Sequence, residues 1–233
     1  MPVPYFYEPS LIIGVNQFTL SPETSKHCVQ VLRMQEGANI DITNGMGAVF
    51  NATIQTAHKT NSIVSIQRHQ SFAATNQKIT LGISLLKNAV RLEWLFEKAT
   101  EMGIHQIVPL ICERTIHERF KMDRMQNILQ SAMIQSQQAW LPLLCEPITL
   151  NAFMQQHKAS VNLIAHCEPS DKKNIKEISA LDDVNLLIGP EGDFSSAEIA
   201  TAATNNYTPI HLGPTRLRTE TAGIFALSVL KIF

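Results

Sequence analysis

An excess of either charge is missing from this chain of 233 residues. Its formal net charge is −1, and charged residues make up 17% of it. Proteins that live on nucleic acid usually carry a clear basic surplus, so any such contact must come from a local basic face. No apolar run approaches the roughly 20 residues that span a bilayer, so no membrane partner is expected. The opening Met1-Pro2-Val3-Pro4-Tyr5 has no basic segment followed by an apolar one. A secretory leader is therefore not expected, and the cytoplasm is the default location. The four cysteines, Cys28, Cys112, Cys145 and Cys167, are scattered without a C-x-x-C pair. That spacing disfavours a disulfide framework or a zinc site; buried reduced thiols and no bound metal are the expectation. Internal repeats and low-complexity tracts are also missing. What is present is 45% hydrophobic residues, enough to bury one large core or two smaller ones.

The rhythm of the chain changes once. Residues up to about 70 read as strand-rich. Asn39 to Thr43 alternates polar and apolar, then meets the turn signal Asn44-Gly45-Met46-Gly47. Val49 to Thr56 and Ser62 to Arg68 add strands at short spacing, the pattern of a small β-barrel. One helix interrupts, with Ser21 as N-cap, Pro22 at the first position, and Cys28, Val31, Leu32 and Gln35 at helical spacing. The small polar stretch 71–77 marks the boundary, giving expected domains of 1–72 and 73–233. From Lys78 onward strands alternate with helices. Strands are expected at Ile79 to Leu86, Ile107 to Ile111, Val161 to Ala165, Val184 to Ile188 and Ile210 to Leu212. Helices are expected from Asn88 to Gly103, Glu118 to Gln138, Ser195 to Asn205, and Thr219 or Glu220 to Phe233. Continuous apolar runs imply strands buried on both faces, and the alternation implies a parallel sheet covered by helices.

Two segments carry the chemistry. Leu186-Leu187-Ile188-Gly189-Pro190-Glu191-Gly192-Asp193-Phe194-Ser195 and Leu212-Gly213-Pro214-Thr215-Arg216-Leu217-Arg218-Thr219-Glu220-Thr221-Ala222 are each an apolar run that breaks into a Gly-Pro loop before a helix start. Such loops meet at the carboxyl ends of neighbouring parallel strands, where α/β proteins bind ligands. Glycine lets the backbone approach a ligand, although an ordinary strand-to-helix turn uses it as well. In the second loop Thr219 and Glu220 also suit a helix cap. A cap leaves Arg216 and Arg218 unexplained, because the positive end of a helix disfavours cations. The terminal helix is apolar on nearly every face, which requires burial inside the monomer or against a second subunit. His58, His69 and His157 sit in polar stretches and carry no functional expectation.

Together the two segments resemble the C-terminal motifs of the SPOUT methyltransferases, in particular the bacterial family that methylates N3 of a uridine in 16S ribosomal RNA. The resemblance extends over nearly the whole chain. His27 to Met34 followed by Gly37, and the Gly45-Met46-Gly47 turn, look like that family's PUA-like domain. Lys87, Arg91 and Glu93 through Gly103 look like the first helix of its catalytic domain, with Arg114 in its expected place. Ile164-Ala165-His166 is similar to the strand end forming a third wall of the cofactor pocket. The sequence departs from the family pattern at Asp193, where glycine is usual, and at Thr215, where arginine is usual. It departs again at Ile134 and Gln138, commonly Glu and Arg, while Gln135 and Ser136 are kept.

The resemblance implies an α/β parallel sheet with a C-terminal trefoil knot, preceded by a small PUA-like β-barrel. It implies a homodimer that binds S-adenosylmethionine and acts on 16S rRNA or the 30S ribosomal subunit. The implied cofactor contacts are Ala165, His166, Ile188, Gly189, Glu191, Gly192, Leu212, Gly213, Leu217 and Thr221. The implied RNA contacts are His27, Arg33, Lys87, Arg91, Arg114 and Arg216. Arg218 would hold the uracil or its phosphate, and Glu220 would orient Arg218 or accept a proton. Uracil N3 becomes nucleophilic as its proton leaves, when charge grows on O2 and O4, so a nearby cation lowers the barrier. N3 lies on the Watson–Crick edge, so the target must be unpaired or flipped out. Two other readings stay open: a SPOUT ribose 2′-O-methyltransferase on tRNA or rRNA, and a non-catalytic RNA-binding protein of the same fold.

Overall fold

The computed structural model describes residues 3–117, 119–178 and 183–231. It contains two compact units, one of residues 1–74 with 130–141, the other of 75–129 with 142–233.

In the first unit, β1 (Tyr5–Tyr7), β2 (Gln17–Thr19), α1 (Pro22–Lys26), β3 (Asn39–Thr43), β4 (Ala48–Thr56) and β5 (Ile63–Ser71) follow one another. The strands form one sheet in the order β1-β3-β4-β5-β2. Alternation along β4 puts Ala48, Phe50, Ala52 and Ile54 in the core, where they meet Ile40 and Ile42 of β3. The turn joining β3 to β4 is set by Asn44, whose Oδ1 accepts from Met46 N at 2.9 Å and Ala48 N at 3.1 Å. This is the Asx geometry that short polar side chains favour.

The helix expected after Ser21 is short. Ser21 Oγ caps one α-turn, and a π-helical turn, His27–Val31, takes over, closed by Leu32 N donating to His27 O at 3.0 Å. The wider turn breaks the expected 3.6-residue stripe. Of the expected stripe Cys28 is buried, while Val31 and Leu32 are exposed, and Val29 and Met34 pack against the core instead.

In the second unit, β6 (Ile79–Ser84), α2 (Ala89–Glu101) and β7 (Gln106–Ile111) open the α/β alternation. They are followed by α3 (Met122–Gln135), whose last residues belong to the first unit's segment 130–141. The helix starts later than expected; Glu118 lies outside the described residues. Next come β8 (Leu143–Leu144), β9 (Ile148–Thr149), α4 (Leu150–Gln156), β10 (Val161–Ala165), β11 (Lys173–Asn174), β12 (Val184–Ile188), α5 (Ser196–Thr204), β13 (Thr208–His211) and α6 (Thr219–Lys231). The expectation for Phe233 lies outside the described residues.

The strands form a sheet in the order β11-β13-β10-β12-β6-β7-β8, with β9 also on β7, and every pairing is parallel. β6 and β12 are buried along their full length, as strands covered on both faces must be. Asn88 caps α2, and Leu92, Leu95, Phe96 and Ala99 form its buried stripe. α6 buries Gly223, Ala226, Leu227 and Leu230 and leaves Ile224, Phe225 and Val229 half-buried. Gly223 and Leu95 meet where α6 crosses α2. Among the described residues no helix is long and apolar enough to cross a membrane.

Candidate active site

The carboxyl ends of β13, β10 and β12 lie side by side in the sheet. The loops that leave them enclose a cavity of about 550 Å³. That size lies within the usual range of small-molecule sites. Of the expected cofactor residues, Ala165, His166, Ile188, Gly189, Glu191, Leu212, Gly213 and Leu217 line it; Gly192 and Thr221 lie off its wall. Arg91, Arg216 and Arg218 also line it, and so do Cys167, Lys172 and Asp193, which were not among the expected contacts.

The first loop is built by packing. A Cβ on Gly189 would stand 3.0 Å from Phe194 Cδ2, so this glycine makes room for a fully buried ring. Ser195 and Glu198 close a reciprocal capping box at the start of α5. Arg114, exposed, donates from Nη1 to Gly192 O at 2.9 Å and Phe194 O at 3.2 Å, strapping the loop from outside. The Glu191 carboxylate accepts from Lys87 N at 3.2 Å, which ties the start of α2 to the same loop.

Asp193 takes the left-handed backbone, φ +66°, that a glycine would hold without cost. Its carboxylate accepts from Cys167 N at 2.7 Å and from Phe194 N at 2.8 Å. The side chain thereby joins the loop after β12 to the loop after β10. The second loop needs glycine at one point. Gly213 has φ +123° and faces open space, with nothing within 4 Å of a Cβ built there.

His166 is 7% exposed, and neither ring nitrogen has a hydrogen-bond partner among the described residues. Burial pushes its pKa below the ordinary 6.5, and Lys172 adds to the shift. The ring is therefore a neutral imidazole presenting one donor and one acceptor, which suits a ligand carrying both. Lys172 Nζ donates to His166 O at 2.8 Å and fixes this wall.

Glu220 is buried, and its Oε1 lies 3.7 Å from Arg91 Nε. The expectation joined Glu220 to Arg218; the ion pair that forms is with Arg91, in the first turn of α2. Oε2 of Glu220 is buried without a partner among the described residues. Arg218 and Arg216 are exposed at the cavity rim. Arg91, Lys172, Arg216 and Arg218 face Glu191 and Asp193 around the cavity, so a chain of net charge −1 carries a locally basic site. His27 and Arg33 lie elsewhere, both exposed on the first unit, His27 edge-on to Phe6 and Arg33 at φ +53°.

The cysteines divide. Cys28 and Cys112 are buried, and burial pushes their thiols up to about 11 and about 12. Cys145 is half-buried, and Cys167 is exposed on the cavity wall, against the expectation of buried thiols throughout. Among the described residues no group of three or more His, Cys, Asp or Glu is arranged to hold a metal.

Comparison with known proteins returns one chemistry. A family model described as RNA methyltransferase domain matches residues 73–231, and one described as RNA methyltransferase PUA domain matches 20–67. Proteins named Ribosomal RNA small subunit methyltransferase E align along most of the chain. The Synechocystis protein is 29% identical over 90% of this chain and 71% of its own length. The Bacillus subtilis protein is 28% identical over 91% and 89%. Among solved structures, a Legionella pneumophila protein in complex with the bound cofactor SAM is 33% identical, with a TM-score of 0.87 over 100% of this chain and 98% of that one. The Neisseria gonorrhoeae Ribosomal RNA small subunit methyltransferase E bound to S-adenosyl methionine is 26% identical, with a TM-score of 0.88 over 99% and 98%.

Proposed function

The chain belongs to the RNA methyltransferase domain family, and from that premise we propose that it methylates N3 of a uridine in the 16S RNA of the small ribosomal subunit, using S-adenosylmethionine. The fold is a SPOUT-type α/β methyltransferase domain preceded by a PUA-like sheet domain. We assign its C-terminal trefoil knot to the segment from β12 to α6, in which β13 is inserted between β10 and β11. We place the catalytic domain at 73–233 and an RNA-gripping domain at 1–72, with the segment 130–141 of the former belonging to the first compact unit. The reaction is assigned to the cytoplasm.

The observation that carries this reading is the cavity where two glycine loops and the His166 wall converge with arginines at the rim. The donor set fits the cofactor. A neutral imidazole with unpartnered nitrogens suits the mixed donors and acceptors of an adenosyl group, and Gly213 leaves its side of the cavity open. S-adenosylmethionine, when bound, supplies an electrophilic methyl group on a sulfonium. The remaining work falls to the side chains. Arg218 is assigned the charge that grows on the uracil oxygens as N3 loses its proton. Glu220 is a positioning residue: its Oε1 holds Arg91 on the cavity wall, and its Oε2 is buried. Lys87, Arg91, Arg114 and Arg216 are proposed to meet RNA on this unit, and His27 and Arg33 on the first.

Arg218→Ala should slow single-turnover methylation of 30S subunits by about 10²–10³-fold, the scale of one lost electrostatic stabiliser. Adenosylmethionine affinity, measured by calorimetry, should stay near wild type. Arg218→Lys should recover little, because a point charge does not copy a planar fork. Wild-type turnover in Arg218→Ala would move the role to Arg216. Mass spectrometry of rRNA nucleosides from a deletion strain identifies the product; an unchanged content of N3-methyluridine would end the proposal.

We also infer a homodimer that covers the half-buried side of α6, through Ile224 and Phe225. Light scattering should give twice the 26.0 kDa chain mass; a monomer at micromolar concentration would remove this claim.

A further inference from the structure

On the first unit an exposed indole is held in place. Trp140 is 42% exposed, Phe72 41% and Met46 57%. Trp140 Nε1 donates to Phe72 O at 3.1 Å, and Phe72 N donates to Gly47 O at 2.7 Å. The backbones of Met46 and Trp140 form an antiparallel bridge, flanked by Gly47 N donating to Ala139 O at 2.8 Å and Leu141 N to Gly45 O at 2.9 Å. The ring lies against the turn so closely that a Cβ on Gly47 would stand 2.6 Å from Trp140 Cε2. Aromatic residues make up 6% of the chain, yet two of them share this small exposed patch with a methionine. A large ring kept in water in a fixed orientation contributes little to the core of its own unit and marks a contact surface.

The neighbours of the patch say what covers it. From Phe72, β5 runs back through Ser71, Gln70, His69, Arg68 and Gln67, all exposed. β2 pairs only with Ile63 to Ser65, so beyond that point it does not cover this edge of β5. The strip holds a guanidinium, an imidazole and two carboxamides, and no carboxylate of its own; Arg68 Nε donates to Asn51 Oδ1 at 2.6 Å, and Asn51 Nδ2 donates to the Asp41 carboxylate on β3. A ring face beside cationic and amide donors matches the two parts of an unpaired nucleotide, a base that stacks and a phosphate that is held by charge. An apolar protein partner would leave those polar groups without use.

We propose that Trp140, with Phe72 and Met46 beside it, is a stacking platform for an unpaired base of the RNA substrate, and that Arg68 and the exposed end of β5 meet the adjoining phosphates. The inference rests on the RNA-methyltransferase reading and adds to it a base-stacking contact on the first unit, besides those assigned to His27 and Arg33.

The probe is oligouridylate of ten nucleotides, compared with an abasic strand of the same length. Trp94→Phe leaves Trp140 as the sole indole reporter. Its fluorescence should be quenched by oligouridylate and not by the abasic strand. Trp140→Ala and Phe72→Ser should each weaken binding of the oligonucleotide, Trp140→Ala by roughly 5- to 150-fold, the range for losing one base–aromatic stack. Trp140→Phe should retain most of the affinity. Adenosylmethionine binding should be unchanged in all of them, which reports an intact second unit. Quenching that is absent, or equal with the abasic strand, overturns the platform, as does unchanged affinity in folded Trp140→Ala. A shift of Trp140→Ala to a smaller species in light scattering would assign the patch to a second copy of the chain and overturn it as well. Failure of the wild-type protein to methylate 30S subunits would instead strike the reading on which the platform rests.

Discussion

Asp193 combines a strained backbone with two hydrogen bonds that justify it. A left-handed φ costs most residues roughly 1–2 kcal/mol, less for aspartate. The carboxylate offsets this through Cys167 N and Phe194 N. Asp193→Ala should therefore lose both contacts while keeping the strain, lowering stability by about 1–3 kcal/mol in urea unfolding. Asp193→Gly relieves the strain and should cost less. If alanine proves no worse than glycine, the carboxylate bonds carry no weight. The sequence showed that Asp193 stood where glycine is usual; it could not show what the side chain grips, since Cys167 lies 26 positions away. The same holds for Glu220. Its position beside the second glycine loop was legible, and its ion pair with Arg91 was not, because α2 meets α6 only through the tertiary fold.

Among the elements, those with a purely local cause were the most legible. Ser195 and Glu198 announce a helix start by spacing alone, and the capping box is there. Ser195→Ala should cost about 1 kcal/mol. Glu198→Ala should cost at least as much, because its carboxylate also accepts from Glu113 N at 2.9 Å. Thermal unfolding of the two variants checks both; a Ser195→Ala protein as stable as wild type would mean that the cap is replaced by water. β10 and β12 span the residues expected of them; β12 is buried along its full length, whereas β10 buries only Leu163 and Ile164. The turn at His27 was not legible, because a π-helical turn changes the spacing without changing the residue types. β8, β9 and β11, two residues each, are too short to leave a pattern.

At the scale of the molecule, histidine protonation links stability to pH. Burial is the first cause that lowers the pKa of His105, His157 and His166 below 6.5. In the unfolded chain these rings take up protons near pH 6.5, while the folded chain resists until lower pH. The unfolded state then binds more protons, so stability falls as pH drops through 6.5, and the loss levels off only below the folded values. The melting temperature should decline between pH 7 and pH 5, and His166→Gln should flatten part of that slope. An unchanged slope in the variant would show that His166 titrates alike in both states.

The first unit is written in two pieces of sequence, residues 1–74 and 130–141. The Gly45-Met46-Gly47 turn finds its backbone partners in Ala139 and Leu141, on the second piece. During synthesis the first piece leaves the ribosome well before the second. At about 5–20 residues per second the wait lasts several seconds, far longer than a hairpin needs to form. Over that interval the nascent sheet carries Gly47 N–H and Gly45 C=O without the groups that later close them, and the order of events on the ribosome is set: the sheet forms early, and its seal arrives only once Leu141 has emerged.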